Sequence, residues 1–162
     1  MLRNTLKKSN RLLCGISWLS KNADHGQAKS LSLSTLEKAL TLPGFDFVDL
    51  QYGDTRDERA QFLATHGTNI IKCEEIDNFS DIDGLASLIA ACDLVVTVSN
   101  TTAHLACALG KPTLVLLPQS SAIFWYWHQR SGACAGDPDL ARPAFQEHAG
   151  VGERQAAGRD RK

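Results

Sequence analysis

A short polar segment near the middle of the chain brings together side chains that suit the binding of an anion. Ser99, Asn100, Thr101 and Thr102 follow an aliphatic run, and His104 comes two residues later. A helix that begins here presents free backbone N–H groups next to these side chains. Helix N-termini of this kind bind phosphate groups. The segment therefore predicts an anion-binding turn.

From the sequence alone, several polar and charged side chains have two possible interpretations. His104 either faces a ligand and donates to a phosphate or sugar oxygen, or is an ordinary helix histidine. Thr101 and Thr102 suit a capping role as well as a phosphate. Lys21 either neutralises a diphosphate or is a solvated loop lysine. Four carboxylates are interpreted as helix N-terminal residues favoured by the helix dipole: Asp54, Glu58, Asp81 and Asp83.

Five runs rich in aliphatic and β-branched residues predict the strands that must position these side chains. They cover residues 12–18, 45–51, 69–73, 94–98 and 113–117. Helical segments alternate with them, and such alternation is typical of βαβ units. The pattern predicts an α/β fold with a doubly wound, mostly parallel five-stranded Rossmann-like sheet.

Local signals predict where the helices begin and end. Ser34 with Glu37, and Thr55 with Glu58, have the spacing of a capping box. The first helix is expected to end near residue 42, and the second to end at Gly67. A third begins near residue 80, with three residues on one apolar face: Leu85, Leu88 and Ile89.

The predicted sheet brings distant polar residues to one edge. In sheets of this kind, ligands bind beyond the carboxyl ends of the strands, near the switch in strand order. The loops after residues 18, 51 and 98 all lie at that edge. One pocket is therefore expected to collect Lys21, Tyr52, Gly53 and residues 99–104.

Length and composition limit the class of protein. The 162 residues carry a formal net charge of −1 and are 43% hydrophobic, as in one ordinary globular domain. The near-neutral charge gives no reason to expect a nucleic-acid partner. No apolar run reaches the ~18 residues of a membrane span. The N-terminus lacks a signal-peptide pattern, so we expect a cytoplasmic protein.

Several common kinds of site are disfavoured because their motifs are missing. No GxGxxG accompanies the first predicted strand, which argues against a nicotinamide dehydrogenase, and no P-loop, GxSxG or HExxH is present. The five cysteines are scattered without CxxC spacing. They are interpreted as small buried hydrophobes in a reducing compartment. We expect no metal and no cofactor.

The C-terminal part of the sequence breaks the pattern. An aromatic cluster, Trp125-Tyr126-Trp127-His128, either closes over a ligand or another domain, or covers the domain's own core. From residue 131 onward Ala, Gly, Arg and Pro dominate. Such a composition buries too little apolar surface to offset the entropy of ordering, so disorder is expected.

Four segments of the chain resemble a known family. They read GISWLSKN, LQYGDTRDE, DIDGLASLIAACDLVVTVSNTTAHLACALGKPTLVLLP and WYW. They are similar to the C-terminal, donor-binding half of bacterial glycosyltransferases with the two-domain GT-B architecture. The likeness is greatest to the heptosyltransferase-like family 9 domain that often follows tetratricopeptide repeats. It covers residues 12–127 and is most specific in the SNTTAHLA segment.

The resemblance implies a site for a nucleotide-diphosphate sugar at the sheet edge. By position it assigns diphosphate and sugar contacts to seven residues: Ser99, Asn100, Thr101, Thr102, His104, Ser20 and Lys21. It assigns Trp18, Tyr52 and Gly53 to the nucleoside side.

The chain departs from the family pattern at three points. Ser99 stands where heptosyltransferases usually have aspartate, so sugar identity and activity do not carry over. After Trp127 the Ala/Gly/Arg-rich tail replaces the usual WYP-type continuation, as in a frameshifted reading frame. The sequence contains neither the acceptor domain nor tetratricopeptide repeats.

The expected organisation has three parts. They are residues 1–11, the remnant of an inter-domain linker; 12–128, a nucleotide-sugar-binding α/β domain; and 129–162, a disordered or frameshifted tail. Such a domain binds the donor and serves glycosyl transfer when paired with an acceptor domain, with little activity alone. The alternative is an inactive remnant of a tetratricopeptide-repeat glycosyltransferase-like protein. A nucleotide-sugar epimerase is disfavoured because its Gly/Glu-rich turn is missing.

Overall fold

Five parallel strands form a single sheet. A computed structural model describes residues 2–6, 10–21 and 26–118. The strands are β1 (Leu12–Ser17), β2 (Phe45–Asp49), β3 (Ile70–Ile71), β4 (Leu94–Val98) and β5 (Thr113–Leu116). Each pairing is parallel, in the order β3-β2-β1-β4-β5. The predicted five-stranded α/β sheet is confirmed.

Helices cover both faces of this sheet. They are α1 (Leu2–Leu6), α2 (Gly26–Lys29), α3 (Glu37–Leu40), α4 (Arg56–His66), α5 (Ile82–Ala91) and α6 (Thr101–Ala108), with a 3₁₀ turn at Leu33–Leu36. One apolar cluster joins Leu88 of α5 to Ala106 of α6 and Leu6 of α1. The other joins Phe62 of α4 to Leu40 of α3. These two clusters, one on each face, make the sheet doubly wound.

The first helix packs on the domain. Leu6 is buried in the cluster that contains α5. The Arg3 guanidinium donates to the Ala91 carbonyl at 2.9 Å and to the Asp93 carboxylate at 2.6 Å. Part of the stretch that the sequence assigns to a linker therefore contributes to the core.

The strand order decides where a ligand site can form. β1 lies between β2 and β4, so the chain extends the sheet first on one side of β1 and then on the other. Ser17, the last residue of β1, is in register with Thr97 of β4. A sheet that reverses its order here leaves a crevice beyond the carboxyl ends of these two strands. The loop after β1 and the turn after β4 border that crevice.

The predicted capping box at Ser34 and Glu37 is wrong. Ser32 caps the 3₁₀ turn instead, because its side chain accepts from the Thr35 N–H. α3 then follows without a side-chain cap. The Glu37 carboxylate lies 3.6 Å from Nδ1 of His66, so it reaches away from its own helix N-terminus.

The predicted box at Thr55 and Glu58 is also wrong, because both side chains bind distant parts of the chain. The Thr55 hydroxyl donates to the Asp49 carboxylate at the end of β2. The Glu58 carboxylate accepts from the Trp18 indole N–H at 2.8 Å and from the Leu33 N–H at 2.9 Å. Glu58 therefore ties the loop after β1 to α4 and is not simply a helix N-terminal carboxylate.

The remaining helix signals agree with the structure. Gly67 ends α4 with a φ of +69°, a left-handed conformation that favours glycine, and its N–H donates to the Leu63 carbonyl. Asp81 caps α5 by accepting from the Gly84 N–H at 2.8 Å. The predicted apolar face of α5 is confirmed, since three residues there are buried: Leu85, Leu88 and Ile89.

Cys14 and Cys92 are buried, as the sequence predicts, whereas Cys73 and Cys107 are only partly buried. Burial raises the pKa of the Cys14 and Cys92 thiols to about 12, so both stay protonated within the core. In the described part of the chain, no helix has the length and apolar character needed to cross a bilayer. The aromatic cluster at residues 125–128 and the tail at 129–162 lie outside the described residues.

Candidate functional site

A cleft opens beyond the carboxyl ends of β1 and β4. Its volume is about 560 Å³, within the range of sites that hold nucleotides and other small ligands. The described residues that line it are Ser20, Lys21, Lys29, Tyr52, Asn78, Phe79, Ile82, Leu85, Ser99, Asn100, Thr101, Thr102 and His104. The cleft therefore collects eight of the ten residues that the sequence analysis assigned to a site.

One wall of the cleft is the turn between β4 and α6. Asn100 caps α6, because its Oδ1 accepts from the Ala103 N–H at 3.3 Å and from the Thr97 hydroxyl at 3.1 Å. Thr101 and His104, in the first turn, are exposed and line the cleft. The positive end of the helix dipole and these polar side chains favour an anion at this wall.

The loop after β1 and helix α2 bring two lysines to the cleft. The Lys21 N–H donates to the Tyr52 hydroxyl, and Lys21 Nζ lies 5.5 Å from the centroid of the Tyr52 ring. Gly53, with a φ of +86°, leaves room for this amine, since a Cβ there would lie 3.1 Å from Nζ. Lys29 is only 3% exposed and lines the same cleft. Both lysines favour an anionic ligand.

A second part of the cleft is aromatic and apolar. The ring centroids of Tyr52 and Phe79 lie 6.3 Å apart, with 53° between the ring planes. Phe79 is 73% exposed, and the neighbouring Ile82 and Leu85 also line the cleft. An exposed ring next to apolar side chains suits the stacking of a planar ligand group.

Asn78 lines the cleft and has one unsatisfied buried acceptor. Its Nδ2 donates to the backbone carbonyls of Asp49 and Gln51, each at 3.1 Å. Because both partners are acceptors, the orientation of the amide is fixed. Its Oδ1 is buried and has no hydrogen-bond partner among the described residues. An unpaired buried acceptor costs about 1–3 kcal/mol, so a hydrogen-bond donor that reached this atom would stabilise the site.

A buried ion cluster fixes the end of β2 behind the cleft. The Asp49 carboxylate accepts from the Gln51 N–H at 2.7 Å and lies 3.3 Å from Arg59 Nε and 3.6 Å from Lys72 Nζ. Burial raises the pKa of Asp49 even though both cations act to lower it. Lys72 Nζ also donates to the Gln51 carbonyl at 3.0 Å. The backbone that leads into Tyr52 is therefore held in place.

Two residues assigned to the nucleoside side do not line the cleft. Trp18 is fully buried in the core, and Glu58 accepts its indole N–H. Gly53 lies next to the Lys21 amine. His104 and Lys21 do line the cleft, which is where their ligand-facing interpretation requires them.

Five residues of the cleft are missed by the sequence reasoning: Lys29, Asn78, Phe79, Ile82 and Leu85. Lys29 stands in a polar loop with no spacing signal, and its burial emerges only once α2 packs against the loop after β1. Asn78 and Phe79 lie in the connection between β3 and α5. The available signal is topological, because this connection follows a parallel strand and so belongs to the carboxyl edge.

The lining residues suit binding better than acid–base chemistry. Among the described residues they include neither Asp nor Glu, and His104 is the one imidazole. Nowhere in the described ranges do three His, Cys, Asp or Glu side chains gather as metal ligands would. The arrangement can hold an anion at one wall and a planar group at another.

A comparison with protein families identifies the family of this chain. The family described as glycosyltransferase family 9 (heptosyltransferase) matches residues 53–148, more than half of the chain. The chain belongs to glycosyltransferase family 9. The matched region of this family 9 chain contains Asn78, Phe79 and the α6 turn, whereas Lys21 and Lys29 precede it.

A curated relative extends the likeness of this family 9 chain. Protein FlbA of Caulobacter vibrioides (strain ATCC 19089 / CIP 103742 / CB 15) is 41% identical over 108 residues. The shared region is 66% of this chain and 18% of FlbA, so the chain spans less than a fifth of that relative's length. No solved structure matches the family 9 chain.

Proposed function

We propose that this chain binds a nucleotide-diphosphate sugar in the cleft and is the donor-binding half of a glycosyltransferase with GT-B architecture. One observation carries the proposal: a single cleft joins an anion-binding wall to an aromatic part that contains an unsatisfied acceptor. A nucleoside diphosphate offers the complementary groups, because an anionic diphosphate is linked through a ribose to a planar base.

The diphosphate would bind at the α6 turn. The hydroxyl of Thr101 and the N-terminal amides of α6 suit its oxygens, and Lys21 and Lys29 offset its charge. His104, one turn into the helix, would reach the sugar or the distal phosphate. Membership of family 9 supports a sugar donor as the substrate.

The nucleoside would bind at the aromatic part of the cleft. Phe79 is exposed enough to stack on a base, with Tyr52 beside it. An N–H or O–H of the nucleoside would donate to Asn78 Oδ1 and satisfy that atom. This assignment replaces Trp18, which is buried, with Asn78 and Phe79 as nucleoside contacts.

Transfer of the sugar would need groups from outside this cleft. The acceptor hydroxyl must lose a proton to a positioned base; the described lining residues include no carboxylate, and their one imidazole, His104, is assigned here to the sugar or the distal phosphate. The family resemblance implies a reaction between two domains. We therefore propose donor binding by this chain and acceptor binding by a partner domain, with a tetratricopeptide-repeat region as its neighbour.

Calorimetric titration of the full chain with UDP, ADP and GDP, their sugars and the matching monophosphates tests the proposal. One diphosphate should bind more tightly than its monophosphate, and the difference should shrink as salt rises. Purified chain should bind a donor sugar without turnover. A folded chain that binds none of the diphosphates contradicts donor binding and favours the inactive-remnant alternative, whereas turnover by the chain alone contradicts the need for a partner domain.

A further inference from the structure

A chain of buried hydrogen bonds runs behind the ligand-facing side chains and joins the walls of the cleft. The Gln51 Oε1 atom accepts from the Ser17 hydroxyl at 2.9 Å, the Trp18 N–H at 3.0 Å and the Leu19 N–H at 2.8 Å. Ser17 Oγ in turn accepts from Asn100 Nδ2 at 2.8 Å. The loop after β1 and the turn before α6 are thereby tied to the end of β2.

Gln51 also reaches the aromatic part of the cleft, through its backbone carbonyl. The Gln51 carbonyl accepts from Asn78 Nδ2 at 3.1 Å and from Lys72 Nζ at 3.0 Å. Its Nε2 donates to the Tyr52 carbonyl at 3.2 Å. Gln51 is fully buried, so solvent does not compete for its bonds with Asn78, Ser17 and the Trp18 N–H.

The direction of each bond is determined by the groups involved. Asn100 Nδ2 can only donate, so the Ser17 hydroxyl must accept from it and send its own proton to Gln51 Oε1. A neutral amide oxygen can serve three donors here without placing a negative charge behind an anion-binding wall. A carboxylate at the same position would repel a phosphate.

We propose that Gln51 and Ser17 form a positioning relay, which keeps the anion-binding wall and the aromatic part of the cleft at a fixed distance and orientation. Both ends of one nucleotide can then bind together. The inference rests on the proposed function and deepens it, because it names residues that act through others and do not touch the ligand. Neither residue lines the cleft.

The relay can be cut without dismantling either wall. In Ser17→Ala, Gln51 keeps its bonds from the Trp18 and Leu19 amides, and Asn100 keeps its bond to the Leu19 carbonyl at 3.1 Å. The substitution therefore removes the hydrogen-bonded connection that runs from Asn100 through Ser17 to Gln51. Cys14→Ala is the matched control, because Cys14 is buried on the same strand and its Sγ donates to the neighbouring Gly15 carbonyl at 3.8 Å, not to a residue of the relay.

The affinity of the full chain for the best-binding nucleoside diphosphate, measured by calorimetry below the unfolding transition, tests the relay. Ser17→Ala should weaken binding about tenfold or more, and Cys14→Ala should change it less than about twofold. Unchanged affinity in Ser17→Ala, or equal losses in both variants, overturns the relay. On a Gln51→Met background, Ser17→Ala should add less than about twofold, whereas full additivity overturns it.

Amide hydrogen exchange without ligand separates failure of the relay from failure of the proposed function. Ser17→Ala should speed exchange at the Ala103 and Leu19 amides relative to Cys14→Ala, because the residues that hold these segments become less constrained. If the unaltered chain binds no nucleotide, the proposed function fails and this measurement alone decides the relay. Faster exchange in Ser17→Ala then supports the structural coupling of the two walls, and exchange equal to that of the control overturns it.

Discussion

The two edges of the sheet differ in how they bury polar groups. In the described ranges, the buried polar and charged residues all lie at strand carboxyl ends or in the segments that follow them: Ser17, Lys29, Asp49, Gln51, Thr55, Asn78, Thr97, Ser99, Asn100 and Thr102. At the amino edge, a cleft of about 440 Å³ is lined by apolar residues that include Leu6 and Leu40 and by polar residues, such as Thr41 and Asn69, that are exposed and not buried. Its Arg11–Asp46 ion pair, at 3.3 Å, is partly exposed.

The uneven burial of polar groups at the two edges distinguishes residues that stabilise the fold from residues that form a ligand site. Apolar packing stabilises a domain, whereas buried polar groups lower its stability unless each is hydrogen-bonded. A fold that collects such groups at one edge, and leaves the acceptor of Asn78 unsatisfied there, is organised around something other than its own stability.

The largest expected effect comes from one substitution at each edge. Leu40→Ala leaves a cavity in the core, and Gln51→Leu leaves three donors unpaired, so each should lower the free energy of unfolding by about 3 kcal/mol. Only Gln51→Leu should also weaken nucleotide binding. Urea unfolding and calorimetry measure the two quantities, and an equal loss of affinity in Leu40→Ala would break the separation between the edges.

A smaller effect is expected when a charge is removed from the cleft. Lys29→Met should weaken diphosphate binding by roughly tenfold, because a buried amine that offsets phosphate charge is lost. Lys38→Met, which removes the same charge from an exposed position on α3, is the control and should leave affinity unchanged. If calorimetry gives the same affinity for both variants, Lys29 is not part of the anion-binding wall.

At the amino edge, loss of an ion pair should have little effect. Asp46→Asn removes the attraction to Arg11, whose side chain is 48% exposed. Such pairs contribute about 0–1 kcal/mol, so the urea midpoint should hardly move. A loss above about 2 kcal/mol would show that this edge also depends on buried electrostatics.

The smallest effect is a dependence of stability on pH that involves Asp49. Burial raises its pKa in the folded chain above the ordinary 3.8. As pH rises past the ordinary value, the unfolded chain loses this proton first, so this group's contribution to stability falls until the folded pKa is passed. The unfolding free energies of the unaltered chain and Asp49→Asn, compared between about pH 4 and pH 6, should diverge in that direction. A constant difference across this range would contradict the shift.

The sequence predicts the strands well because buried parallel strands are continuous apolar runs. Residues 94–98 are predicted and observed with the same bounds, and β1 and β5 each end one residue earlier than predicted. The helix caps are predicted less well. Glu58 has the spacing of a capping box, yet its partners include Trp18, 40 residues away in sequence. A local pattern contains no information about such partners.

The candidate site is predicted in part for the same reason. Ser99 to His104 form one continuous segment, so their grouping is visible in the sequence. Lys29 and Asn78 join them only through packing and strand order. Trp18 lies within the right segment, but a large ring directly after a buried strand is drawn into the core, and sequence position alone does not reveal which way it turns.

The central place of β1 has a consequence for the order in which the protein assembles. Its partner on one side, β2, begins about 30 residues later, but Cys14 meets Leu94 of β4 only after 80 further residues have been made. At a synthesis rate of about 5–20 residues per second, β1 waits roughly 4–16 s with one unpaired edge. During that interval its backbone can pair with other chains. The nascent chain is therefore most prone to aggregation along the edge of β1 that β4 later covers, a pairing that ends next to the ligand cleft.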